Sequence, residues 1–181
     1  MHMSLSYAIL ATLADQACSG YELAKRFDGS VGHFWSASHQ QIYRELNRLE
    51  ERQWITGEVI PQTGRPDKKC YHLTEMGKAE MAKWIAQPSK SSRTKEEILV
   101  KLFAGDLVEP EVLLTELQRY QQEHEQQLQI YQQIEQQHFA EPEQLSWGGK
   151  CQYLTLRQGI RYEMDVIGWC EEALALLKSC N

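Results

Sequence analysis

Residues 38–52 carry two chemistries on one helical period. Ile42, Leu46 and Leu49, four and three residues apart, form an apolar side. His39, Gln40, Tyr43, Arg44, Asn47, Arg48 and Glu51 fall on the other. A helix that docks by one face and offers amides, hydroxyls and guanidinium groups on the other suits the major groove of B-DNA. That groove admits one helix, and its base edges present donor–acceptor pairs that Gln matches at adenine and Arg at guanine. Gln40 and Gln41 are thus candidates for adenine, Arg44 for guanine or a phosphate, and the Tyr43 hydroxyl for a phosphate. Ser38 and His39 open this candidate contact set, with Ser36 or Ser38 as the helix cap. For His39 two readings stand together, DNA contact and a capping or surface role. Arg48 lies a turn further on and either contacts DNA or pairs with Glu45 or Glu51.

The preceding elements must hold this helix against a core. Ser4–Asp15 reads as a first helix with Leu5, Ala8, Ile9, Thr12 and Leu13 at helical spacing. Ser19 with Glu22 three residues on is a capping-box arrangement for a second helix over 20–27, which buries Leu23, Ala24 and Phe27. Tyr21 at its start joins the candidate contacts. The third helix runs to about Gln53. The period then changes: 54–60 and 68–73 read as strands around the polar turn Gln62–Asp67, a hairpin. Its tip places Arg65, Lys68 and Lys69 beside the reading helix, for the backbone or an adjacent minor groove. The competing reading is a charged edge that resists strand pairing. Thr74 caps a fourth helix to about Ala86.

The net charge of −6 over 181 residues is unusual for a DNA-binding chain. Residues 1–88, however, hold ten basic and ten acidic side chains, and residues 89–181 nine and fifteen. The excess acid lies in the second half, and DNA binding needs only a local basic patch.

Polar, helix-breaking residues 87–92 mark a joint. The expected organisation is a winged helix-turn-helix DNA-binding domain at 4–87 and a helical dimerisation domain at 93–181, a mainly α fold with a two-stranded β wing. In the second half, 94–104 reads as a helix burying Ile98, Leu99, Leu102 and Phe103. Pro110 opens a long helix to about Phe139, where proline is tolerated in the first turn. Leu113, Leu117, Tyr120, His124, Leu128, Tyr131 and Ile134 form a stripe on it that calls for a partner helix. Trp147-Gly148-Gly149 reads as a break before a last helix from about Lys150 to Ser179. Trp147, Tyr153, Tyr162 and Trp169 are candidates for a pocket holding a small aromatic effector; the alternative is core or dimer interface.

Four separated blocks resemble the PadR family of transcriptional regulators: Ser19-Gly20-Tyr21-Glu22-Leu23, Gln41 to Glu50, Gly64-Arg65-Pro66, and Tyr71 to Gly77. The resemblance covers about residues 4–86; the second half is similar to the longer PadR-like proteins in helix pattern. It implies a homodimer joined by C-terminal helices. Two reading helices and two wings would engage double-stranded DNA at a pseudo-palindromic operator, repression being lifted in some members by phenolic or other aromatic small molecules. One departure stands out. Where the family often has Gly and an aliphatic residue after the reading helix, this chain has Gln53-Trp54-Ile55.

Other classes fit less well. No Gly-rich phosphate loop, nucleophile elbow or metal-spaced cluster occurs, so neither an enzyme nor a cofactor is expected. Glu96-Glu97 and Glu171-Glu172 are helical neighbours that diverge by about 100°. Cys70-Tyr71-His72 reads as strand core and His33 with Trp35 as packing. Five cysteines without a CxxC pair argue against a disulfide framework, and nothing singles out an oxidant-sensing thiol. No apolar run is long enough to span a bilayer, and the N-terminal apolar stretch lacks the basic flank of a leader. A cytoplasmic protein is the expectation. The alternative function is a protein-interaction module on the same scaffold.

Overall fold

Ile9, Leu10, Leu23, Ile42, Leu46, Leu49 and Ile55 are sealed from solvent, and the N-terminal elements are arranged around them. The computed structural model describes residues 4–28, 37–62, 64, 67–89 and 96–179. Arg65, His33, Trp35, Ser36, Thr94 and the side chain of Phe27 lie outside the described set. Two compact units result, Met1–Ser91 and Ser92–Asn181.

The first unit runs α1 (Ser4–Asp15), β1 (Cys18–Ser19), α2 (Gly20–Asp28), α3 (His39–Glu51), β2 (Ile55–Ile60), β3 (Lys68–Leu73) and α4 (Glu75–Ile85). This is a mainly helical winged-helix unit. The wing differs from the expected hairpin in one respect. Its sheet has three antiparallel strands in the order β1-β3-β2, because Cys18 and Ser19 pair with Tyr71 and Cys70. Two residues are too few to show a period-2 pattern, so this edge strand reads as a linker in sequence.

Anchors outside the aliphatic core fix α3 and α4. Glu45 is buried on the inner side of α3, where it accepts a hydrogen bond from the Ser6 hydroxyl of α1. Tyr7 stacks on Trp84 with ring centroids 4.4 Å apart, clamping α4 to α1. Trp54 packs against the same core, in the slot where an aliphatic residue is usual. Gln53 takes φ 59°, so the end of α3 has the left-handed shape that Gly would supply.

The second unit contains α5 (Glu97–Phe103), α6 (Pro110–His138) and α7 (Trp147–Lys178), with short 3-10 turns at Gly105–Leu107 and Pro142–Gln144. Trp147, Gly148 and Gly149 form the first turn of α7 and not a break. The Ser146 hydroxyl accepts the Gly149 N–H at 3.2 Å and starts the helix there. The α6 stripe finds its partner within the chain. Leu117 shares a core with Ile98, Leu114 and Leu174, Tyr131 lies on Gly159, and His124 pairs with the buried Glu163. Tyr120 and Tyr162 both donate to the Glu96 carboxylate, at 3.0 and 2.7 Å. Burial, followed by that carboxylate, pushes both phenols above their ordinary range. Leu99 and Phe103, expected inside, are 48% and 94% exposed. Seven residues of α5 offer one narrow inner face, and Ile98 and Leu102 occupy it.

Candidate nucleic-acid interface

α3 begins with a reciprocal cap. The Ser38 hydroxyl accepts the Gln41 N–H at 3.3 Å, and the Gln41 side-chain oxygen accepts the Ser38 N–H at 2.8 Å. This satisfies two donors that a helix start otherwise leaves open. In the DNA-free chain the Gln41 amide oxygen is thus engaged at the helix start, and its side-chain NH2 is not part of that cap. Ser38 is likewise a cap with its hydroxyl engaged.

Beyond the cap, Ile42, Glu45, Leu46 and Leu49 are buried. His39, Gln40, Tyr43, Arg44, Asn47 and Arg48 are exposed along the opposite side. Arg44 makes no hydrogen bond or ion pair among the described residues. Arg48 is pulled back toward Glu45, with 3.3 Å between Nη1 and Oε2. Asn47 lies one turn beyond Arg44 on the same exposed face, which makes it a further candidate.

Tyr43 is fixed by the start of α2. A Cβ on Gly20 would stand 2.6 Å from Tyr43 Cε1, so the missing side chain lets the ring lie against the helix. Tyr21 and Tyr43, 68% and 43% exposed, border an open groove with Ser19, Gln62, Asp67 and Lys68. The Ser19–Glu22 box expected from sequence is formed: Glu22 Oε2 accepts from the Ser19 N–H and hydroxyl, both at 3.0 Å.

The wing lysines are not free cations. Lys68 Nζ donates to Glu22 Oε1 at 2.8 Å, and Lys69 Nζ to Glu50 Oε2 at 2.7 Å. The Lys68 ammonium, then the Ser19 N–H and hydroxyl, holds the Glu22 carboxyl down to about 2. Glu22 and Glu50 were not legible as partners because their lysines lie 46 and 19 residues away. The signal available was that two adjacent lysines at a strand start need nearby counter-charge.

In the second unit Trp147, Tyr153, Tyr162 and Trp169 are strung along α7. At 1.5 Å per residue the outer two are about 33 Å apart. Trp147 is 84% exposed, the Tyr153 ring lies tilted against Phe139, Tyr162 bonds Glu96, and Trp169 packs on the Leu117 core. They do not come together in one cavity of this unit.

Residues 9–83 match the Transcriptional regulator PadR-like family, and residues 94–178 match the family described as Virulence activator alpha C-term. A Mycobacterium tuberculosis protein named "Probable transcriptional regulator Rv1176c" is 41% identical over 97% of this chain and 98% of its own length. The "Negative transcriptional regulator PadR" of Bacillus subtilis is 30% identical over 96% and 97%. The chain belongs to the PadR-like family of transcriptional regulators.

Solved PadR-like structures agree with the fold across both units. Bacillus subtilis PadR in complex with operator DNA aligns at TM-score 0.80, covering 96% of this chain and 98% of that one at 28% identity. The same protein has been solved with p-coumaric acid. The Vibrio cholerae virulence activator AphA aligns at TM-score 0.77 and 31% identity, covering 98% of this chain and 100% of its own. These relatives are regulators, one named negative and one an activator. Among the described residues no helix is long and apolar enough to cross a membrane.

Proposed function

We propose that this PadR-like regulator is a homodimeric repressor that reads a pseudo-palindromic operator with the exposed face of α3. The observation that carries the reading is Arg44. It is exposed and makes no hydrogen bond or ion pair among the described residues, on a helix whose cap and end are fixed by internal bonds and whose inner face is fixed by packing, an arrangement that suits a groove-reading side chain. Gln40, Tyr43 and Asn47 flank it, Tyr21 and His39 stand at the margin, and strands β2 and β3 of the wing follow in the same unit. The Bacillus subtilis relative with operator DNA supports duplex DNA as the partner, and the name of that relative supports repression.

The dimer proposal draws on apolar side chains left uncovered in the C-terminal unit. With the α6 stripe satisfied by α7, Leu99, Val100, Phe103, Leu154, Met164 and Leu176 remain exposed. Covering them with a second copy would remove that surface from water. Release by a small aromatic ligand follows the p-coumaric acid complex of the relative and rests on that relative, not on the four α7 aromatics.

The direct test is selection of duplexes from a random-sequence pool, followed by footprinting. An inverted repeat with half-sites about one helical turn apart, bound with a steep salt dependence, is the expected result. Failure to enrich any duplex at low salt would sink this reading and leave the protein-interaction module.

A further inference from the structure

Lys68 and Lys69 are successive residues of β3, so their side chains leave opposite faces of the sheet. Each nevertheless ends on a different helix: Lys68 on Glu22 of α2 at 2.8 Å, Lys69 on Glu50 of α3 at 2.7 Å. The second pair lies in a prepared space. A Cβ on Gly57, across the hairpin on β2, would stand 2.2 Å from Lys69 Cε and 2.7 Å from Glu50 Oε1. The Lys69 ammonium also sits 5.3 Å over the Tyr71 ring, a cation–π position. Glu22 is doubly committed, since its other oxygen closes the cap of α2 on Ser19. The strand is thus tied on one side to the helix that precedes the reader and on the other to the reader itself.

We propose that Lys68 and Lys69 are positioning residues, which brace the wing against α2 and α3 and set its angle to the reading helix, and are not themselves the phosphate-binding cations of the wing. The inference rests on the DNA-binding reading above and revises its wing contacts. A lysine used for phosphate gains by keeping its ammonium open to the groove. Each of these two ammoniums already commits a donor to a carboxylate of a neighbouring helix. Both pairs are part-exposed, so each is a modest restraint on its own. Two restraints from opposite faces fix a rotation that neither fixes alone.

The sign of one substitution separates the two roles. The test uses the full-length protein and a duplex that the wild type has enriched from a random-sequence pool. If Lys69 binds phosphate, Glu50→Gln frees it and removes a negative charge near DNA, so binding tightens. If Lys69 braces the wing, Glu50→Gln weakens binding, by roughly five-fold per protomer. The swap Glu50→Lys with Lys69→Glu is then expected to recover most of the affinity that Lys69→Glu alone loses. Lys69→Met is expected to leave the slope of log affinity against log salt at the wild-type value. Tighter or unchanged binding by Glu50→Gln, no recovery in the swap, or a slope reduced by about 0.9 for Lys69→Met each overturns the proposal. Thermal unfolding of every variant checks that it is folded, and the salt slope of Lys69→Met decides if Glu50→Gln is not. A wild-type chain that enriches no duplex removes both readings together; the outcomes above remove only this one.

Discussion

The Trp54 N–H donates to the Leu49 carbonyl at 3.0 Å, enclosing a second bond from the Gln53 N–H to Glu50 at 2.9 Å. This nested pair is a Schellman closure of α3, and it requires a left-handed residue at Gln53, where φ is 59°. A side chain there costs about 1–2 kcal/mol in backbone sterics. Gly would remove that cost but lose more chain entropy on folding, about 0.5–1 kcal/mol. Gln53→Gly is therefore expected to stabilise the protein by roughly 0.5 kcal/mol. The urea midpoint should rise with its slope unchanged; a lower midpoint would show that the Gln side chain is itself holding the corner.

The same corner sets a limit on α4. The single Thr74 hydroxyl proton is shared between the Gln53 and Trp54 carbonyls, at 2.7 and 2.9 Å, and the oxygen accepts the Gly77 N–H at 3.0 Å. A Cβ on Gly77 would stand 2.1 Å from the Trp54 carbonyl oxygen, a backbone atom that cannot swing aside. Gly77→Ala is expected to cost at least about 2 kcal/mol, as overpacking does where no side chain can yield. A thermal midpoint within a degree of wild type would count against this tight approach.

The helical periods made most of this architecture readable from the chain. Ile42, Leu46 and Leu49 define α3, the Ser19–Glu22 spacing marks the start of α2, and the change to alternation after Gln53 marks the wing. What was not readable depends on partners distant in sequence. β1 exists only because Cys70 and Tyr71 return to it. Glu45 sits at an inner position of α3, but its tolerance there comes from Ser6, 39 residues away. Leu99 and Phe103 fit a helical stripe, yet periodicity alone does not reveal that a seven-residue helix has only one covered face. The exposed face of α3 was legible in Gln40, Tyr43 and Arg44. The internal partners of Gln41, Lys68 and Lys69 were not, because residue type does not disclose which polar groups are already engaged.

That distinction gives a contrast between two neighbouring sites. Arg44→Ala removes an exposed side chain with no hydrogen bond or ion pair among the described residues and is expected to leave the urea midpoint unchanged while weakening duplex binding by about 1–3 kcal/mol. A base contact would show as relaxed selectivity at one position. A phosphate contact would show as uniform weakening with a shallower salt slope. Ser38→Ala removes a cap and should cost about 1 kcal/mol of stability. Equal loss of binding in the two variants, with stability intact in both, would mean that the Ser38 hydroxyl leaves Gln41 to meet DNA.

Glu22 supplies the pH test. Lys68, then Ser19, lowers its carboxyl from 4.5 to about 2, so the fold favours the ionised form. The sign follows: this contribution is complete above about pH 4.5 and is lost as pH falls toward 2. The side chain is 43% exposed, so solvent screening keeps the effect small. Glu22→Gln retains an acceptor for Ser19 but not the charge. It is expected to be less stable than wild type at pH 7, with the gap closing between about pH 4.5 and 2. Other carboxylates held low, such as Glu116, titrate in both proteins and drop out of the difference. Urea unfolding of the pair across this range checks it. A gap of constant size at every pH would place the effect of the substitution in packing and not in the Glu22–Lys68 charge pair.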